Sequence, residues 1–228
     1  MKQVWIISAM MVGAVVVSSA LVIGHDKWST SGSAASIETV GLPWQIDTMP
    51  DSRVRVMGLT LGAGGSTLAD AQKLWGPMLD LAIVAAPQEN GTLEAFVDPV
   101  NAGFISGKLV LTLDAPSVAV QGMKARAVES SYMESTTRKF SLAPSDREAA
   151  AAYAISAMAF IPQAKLDAAT VLERFGSPKD RIRSGKDTEH FLYPAKGLDL
   201  ALNARGKDVL QFVAPADFAR LSGPLQTR

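Results

Sequence analysis

From Val4 to Ile23 the chain carries no charged side chain, and this run of 20 residues limits what it can become more than any other stretch. A helix rising about 1.5 Å per residue over that length spans the roughly 30 Å hydrocarbon core of a bilayer. Lys2 and the terminal amine precede it, so the positive-inside rule keeps the N-terminus in the cytoplasm and sends the rest outward. A cleaved signal peptide is the alternative, because Ser18-Ser19-Ala20 makes a suitable small-residue cleavage site. Against cleavage, the run exceeds the usual apolar region of about 7–15 residues, and a single lysine precedes it. We expect a transmembrane signal-anchor over 1–24, giving a bacterial inner-membrane, single-pass protein with a periplasmic C-terminal region. Cleavage near Ala20 would instead leave a soluble periplasmic protein. Either way the remainder is exported.

Composition narrows the function by exclusion. The 228 residues include 22 acidic and 22 basic side chains, so the chain lacks the basic surplus that a nucleic-acid partner calls for. With no cysteine there are no disulfides, cysteine nucleophiles, thiolate metal sites or lipid-bearing cysteine. His25 and His190 are the only histidines, too few for a multi-histidine metal site. No cofactor is expected.

Beyond the apolar run, Ser29 to Ser36 (STSGSAAS) reads as part of a flexible tether over 25–36. A first unit is expected over 37–115. It has strands at Trp44 to Thr48 and Arg53 to Leu61, a helix at Leu68 to Trp75, and strands at Leu79 to Ala86, Leu93 to Val97 and Lys108 to Leu113. Pro87 to Gly91, closing on Asn-Gly, is a hairpin loop. A helical insert is expected over 116–161: one helix from Pro116 to Ser130, and another from a capping box at Ser145-Asp146-Arg147-Glu148 through EAAAAYAISAMAF. Thr136 to Leu142 between them suits a short strand. A second unit follows over 162–215, with a helix at Ala168 to Phe175 and strands at Glu189 to Tyr193, Leu198 to Leu202 and Val209 to Val213. Residues 216–228 form a tail. The expected fold is therefore α+β: two related units, each a short helix on an antiparallel sheet, behind a transmembrane helix.

The relation between the units rests on two stretches. TLADAQKLWGPM (Thr67 to Met78) aligns with DAATVLERFGSP (Asp167 to Pro178). Thr67 and Asp167 are N-cap types. Ala71 and Trp75, like Val171 and Phe175, stand four apart and share a helical face. Gly76 and Gly176 fall where a helix ends in a left-handed residue. The order cap, small apolar, aromatic, Gly, x, Pro, followed by strands with Tyr193 and the Gly206 turn, resembles the SmpA/OmlA outer-membrane-assembly lipoproteins. The doubled unit resembles the tandem architecture of the β-lactamase inhibitor protein. Both families are exported and bind other proteins without catalysis, so the resemblance implies protein binding.

Candidate chemistry is sparse. The loop Gly62-Ala63-Gly64-Gly65-Ser66-Thr67 invites a phosphate reading but has no lysine before Ser66 and no glycine at position 67, so it fits neither phosphate-loop template. A turn and helix cap explain it. Glu189 and His190 are neighbours, yet on a strand they face opposite sides, and no G-x-S-x-G elbow accompanies them. Asp80, Glu94, Asp98 and Asp114 are scattered carboxylates that the spacing does not pair. Arg174, Lys179, Arg181, Arg183 and Lys186 read as a solvated basic loop. Phe140, Tyr153, Met158 and Phe160 are core candidates, or a binding face if a sheet is left open. We expect a non-enzymatic module that binds other envelope proteins and meets the membrane through Val4 to Ile23. The alternatives are an accessory subunit of a membrane complex held by that helix, and a periplasmic hydrolase or ligand-binding enzyme using His190 or the carboxylates.

Overall fold

The computed structural model of the protein describes residues 42–226 apart from 104, 134 and 135. The Val4–Ile23 run and the tether lie outside the described residues. The elements in chain order are β1 (Asp47–Thr48), β2 (Val54–Val56), β3 (Leu59–Leu61), α1 (Leu68–Trp75), β4 (Leu79–Ala85), β5 (Thr92–Ala102), β6 (Ile105–Leu113), α2 (Ser117–Ala125), β7 (Glu129–Tyr132), β8 (Arg138–Ser141), α3 (Pro144–Ala150), β9 (Ile155–Pro162), α4 (Ala168–Phe175), β10 (Asp180–Ser184), β11 (Thr188–Tyr193), β12 (Leu198–Asn203), β13 (Val209–Val213) and α5 (Ala219–Gln226). Among them no helix is long and apolar enough to cross a membrane.

The architecture corrects the expected fold class. Instead of two sheets separated by a helical insert, ten strands form one antiparallel sheet in the order β10-β11-β12-β13-β9-β6-β5-β4-β8-β7. A three-stranded sheet, β1-β2-β3, stands apart from it. The segment expected to be a helical insert supplies three strands of the large sheet. Helix α2 stops at Ala125 and Glu129–Tyr132 becomes the edge strand β7. Helix α3 begins at Pro144, with Ala143 rather than Ser145 at its N-cap, and ends at Ala150.

The alanine-rich stretch that reads as helix is β9, paired to β6 on one side and β13 on the other. Alanine favours helix by less than about 1 kcal/mol per residue over its competitors. Two waiting strand edges outweigh that preference. They bond both sides of the β9 backbone and place Met158 between Leu111 and Phe212, and Phe160 between Leu109 and Leu210. All six side chains are buried. Gly107 makes the close approach possible. A Cβ there would sit 2.6 Å from the Ile161 carbonyl oxygen and 2.6 Å from the Phe160 ring.

The expected long strand over 53–61 is a hairpin instead. Met57 and Gly58 both take positive φ (51° and 81°), the two-residue turn that matches strand twist. Val54, Val56, Leu59 and Leu61 then all point inward and are buried.

Side-chain alternation divides the labour of the two sheet faces. One carries Leu81, Ile83, Leu93, Ala95, Leu109, Leu111, Met158, Phe160, Phe191, Leu200 and Phe212. These join α1, α2, α4 and the small hairpin in a single apolar core. On the other, Ala157, Leu192 and Val213 pack under Phe218, Leu221 and Leu225 of α5 and the segment leading into it. Helices α1 and α4 both present their apolar stripe to the first core, through Ala71 and Trp75 and through Val171 and Phe175.

If β9 is the join of the two halves, Phe160→Ala should cost about 3–5 kcal/mol, the range for emptying a buried aromatic site. Urea unfolding of the exported region measures it. A loss below about 1 kcal/mol would remove β9 from the core.

Candidate functional site

The amides at the end of the glycine-rich loop, Gly65 to Thr67, are occupied by protein. Gly65 N donates to Gly62 O (2.9 Å) and Ser66 N to Thr60 O (2.8 Å). At the start of α1, Leu68 N reaches Tyr153 O and Ala69 N reaches Ala151 O, both at 3.0 Å. Asp70 brings a negative charge to the same turn, its carboxylate accepting from Thr67 N (3.0 Å) and Thr67 Oγ1 (3.1 Å). The Lys73 ammonium and these Thr67 donors hold the Asp70 carboxyl down at about 2. The loop therefore works as a clamp that ties α1 to the end of α3.

The aligned residues of the two helices occupy matching places with different bonds. Thr67 is held by Asp70, whereas Asp167 accepts directly from Thr170 N at 2.8 Å. Ala71, Trp75, Val171 and Phe175 are buried. Gly76 and Gly176 close the helices at φ 44° and 79°, their amides bonding to Gln72 O and Leu172 O. Past them Pro178 is half-buried. The Tyr193 hydroxyl donates to Gly176 O at 2.9 Å, and its ring tilts against Phe175 with centroids 5.8 Å apart.

Beside α4 the core opens into an apolar cleft. Its floor is Ile105, Phe160 and Leu210 from three adjacent strands, and its walls are Val171, Phe175 and Leu166 facing Pro43 and Trp44. Thr170 and Arg174 are the only polar residues in the lining. The cavity volume is about 70 Å³. The Arg174 guanidinium lies over the Trp44 ring, 5.5 Å from its centroid, and makes no ion pair among the described residues. The cleft sits where β6, β9 and β13 meet, so the join of the two halves builds it.

His190 is buried on β11, on the face opposite Glu189. Its Nδ1 stands 3.0 and 2.9 Å from the two carboxylate oxygens of Asp199, which is also buried. A carboxylate accepts, so Nδ1 carries the hydrogen. Glu189 instead pairs with Arg181 across β10–β11. Of the basic stretch expected as a loop, Arg181 and Arg183 lie on this edge strand, Asp180–Ser184, and Arg174 on α4, with Arg181 stacked 4.4 Å from the Phe191 centroid.

Of the scattered carboxylates, Asp80 pairs with Lys139, and Asp98 lies 3.9 Å from Lys108. Asp114 is exposed and Glu94 is buried. Strand register puts Thr112 on one side of Glu94 and Ala82 on the other. Burial pushes the Glu94 carboxyl up to about 8, against a smaller lowering by Lys108. Among the described residues no three acidic or histidine side chains gather as a metal site. The Asp199 partner of His190 has one sequence signal, an acid inside the apolar alternation Leu198-Asp199-Leu200. Trp44 and Arg174, 130 positions apart, have none.

No protein-family model, curated protein or solved structure matches the chain. The likeness to the SmpA/OmlA lipoproteins rests on its motif residues alone.

Glu94 gives a pH signature. Between its ordinary value of 4.5 and about 8, the folded state keeps a proton that the unfolded chain has lost, so stability falls as pH rises through that window. Glu94→Gln should therefore be more stable than the native chain at pH 8, by on the order of a few kcal/mol at about 1.4 per pKa unit. The gain should shrink toward pH 5. Thermal melts of both proteins at the two pH values test this, and an equal difference at both would refute it.

Proposed function

We propose that this chain is an exported protein-interaction module of the cell envelope that works without catalysis, and that the cleft beside α4 is where a partner is gripped. Cavity size carries this reading. Small-molecule sites run to about 300–1,000 Å³, and a dry cavity of about 150 Å³ admits a benzene-sized guest. At about 70 Å³ the cleft suits one aliphatic side chain. Binding energy between proteins concentrates at such pockets, in a few desolvated anchors.

Charge complementarity indicates what lies next to that side chain. Arg174 is the only charged group in the lining and has no acidic partner among the described residues. Its planar fork suits a carboxylate. The occupant we infer is a segment of an envelope protein that presents an aliphatic side chain with an acidic side chain beside it. Arrival in the envelope follows from the apolar run Val4 to Ile23, and the balanced charge of the chain favours no nucleic-acid partner.

A photo-crosslinker in place of Thr170, in the exported chain, should attach to a distinct envelope protein. Arg174→Glu should cut that capture about tenfold or more, equivalent to about 1.4 kcal/mol. Because Arg174 is exposed, the substitution should leave stability within about 0.5 kcal/mol. Capture through the opposite, α5-covered face with none at Thr170 would overturn the assignment.

A further inference from the structure

The two ends of the ten-stranded sheet are finished differently. Strand β10 closes one end with alternating charge, its Asp180, Arg181 and Arg183 side chains exposed. Two such edges brought together would set arginine against arginine, a common guard against edge pairing. At the other end β7 carries one charge, Glu129, and all four of its residues are exposed. Two large apolar side chains bracket it: Val128, 67% exposed, and Tyr132, 73% exposed.

The backbone of β7 also faces outward in a defined pattern. Met133 N donates to Thr137 O at 2.9 Å. Bonded pairs in an antiparallel ladder recur at every second residue, which makes Ser131–Lys139 and Glu129–Ser141 the inward-bonded pairs of the β7–β8 register. Ser130 and Tyr132 therefore turn their N–H and C=O groups to the open side. The Val128 amide bends inward to Ser141 O.

We propose that β7 pairs antiparallel with β7 of a second copy of this chain, about a two-fold axis at Ser130. Centred there, Ser130 meets Ser130 and Glu129 meets Ser131. Val128 of each copy lies opposite Tyr132 of the other, so both exposed apolar residues are covered at once by a β-branched–aromatic pair, a favoured cross-strand combination. Ser130 exchanges both backbone bonds with its counterpart, and Tyr132 N–H faces the Val128 carbonyl of the second copy, which accepts no bond among the described residues. Sliding the register by one residue would bring an outward-bonding position against an inward-bonding one. Centring it on Ser131 would set Tyr132 against Ser130 instead of Val128, so the apolar pattern selects the Ser130 axis. The contact is short, and a concentration-dependent dimer is expected. This surface lies at the far edge of the sheet from the α4 cleft.

Because the chain has no cysteine, a single Ser130→Cys in the full-length protein reports the contact directly. Under mild oxidation it should form a disulfide dimer at least about tenfold faster than Ser184→Cys on the β10 edge, since only the first brings paired positions within bridging distance. Ser130→Pro removes the outward amide, which makes no bond among the described residues, together with the hydroxyl that accepts from Arg138 Nη2, so it should abolish the dimer in sedimentation, whereas Ser130→Ala, which removes the hydroxyl alone, should keep it. Crosslinking no faster at Ser130 than at Ser184, or a disulfide to a different protein, would overturn the proposal. So would a native chain that sediments as a monomer up to about 1 mM, beyond which an affinity is negligible. Arg174→Glu should leave the dimer intact, so failure here and failure of the α4 cleft are separable.

Discussion

Everything in this molecule depends on β9 lying between β6 and β13. Without it the chain would hold two separate meanders, β4-β5-β6 and β10-β11-β12-β13, each with a raw edge. With it, those edges disappear into a shared ladder, and Met158 and Phe160 sit in the middle of a continuous apolar layer. A small sheet has trouble burying enough surface to be stable alone, whereas a wide one with helices on a common face does not. The glycine at 107 is a condition of that join, because any side chain there would collide with the β9 backbone and the Phe160 ring.

The same join determines what the surface can offer. Where β6, β9 and β13 run side by side, Ile105, Phe160 and Leu210 make a floor that no single half could supply. Helix α4 stands over it because Asp167 caps its start and Gly176 releases its end, which aims Val171 and Phe175 down and leaves Arg174 at the rim. The N-terminus of α1 is tied to the chain just before β9 through Tyr153 and Ala151. A loop that looked like a ligand cradle is thus part of the scaffold. The buried His190–Asp199 pair plays a comparable part on the other face, fastening β11 to β12.

Local features were legible in the sequence and long-range ones were not. Leu68–Trp75 and Ala168–Phe175 could be placed as helices because cap, four-residue apolar spacing and terminal glycine all act within one turn or two. Val209–Val213 could be placed because a buried strand writes itself as an apolar run. Ile155–Pro162 was misread because its identity is settled by partners about fifty residues away on either side, and alanine by itself points to helix. The turn at Met57-Gly58 was missed since methionine rarely takes a positive φ, and only glycine after it hinted at a break. The cleft had no linear signal at all. Trp44, Ile105, Phe160 and Arg174 come from four distant segments that only the finished sheet brings together.

Native-state hydrogen exchange of the exported region tests the central claim most directly, that β9 makes the two halves one cooperative body. Amides of β5, β6, β9, β12 and β13 should exchange at a common opening free energy, equal to that of global unfolding. If the β10–β13 amides opened at a free energy of their own, with β4–β6 still protected, the halves would be separate units and the account of the sheet, and of the cleft it builds, would be wrong.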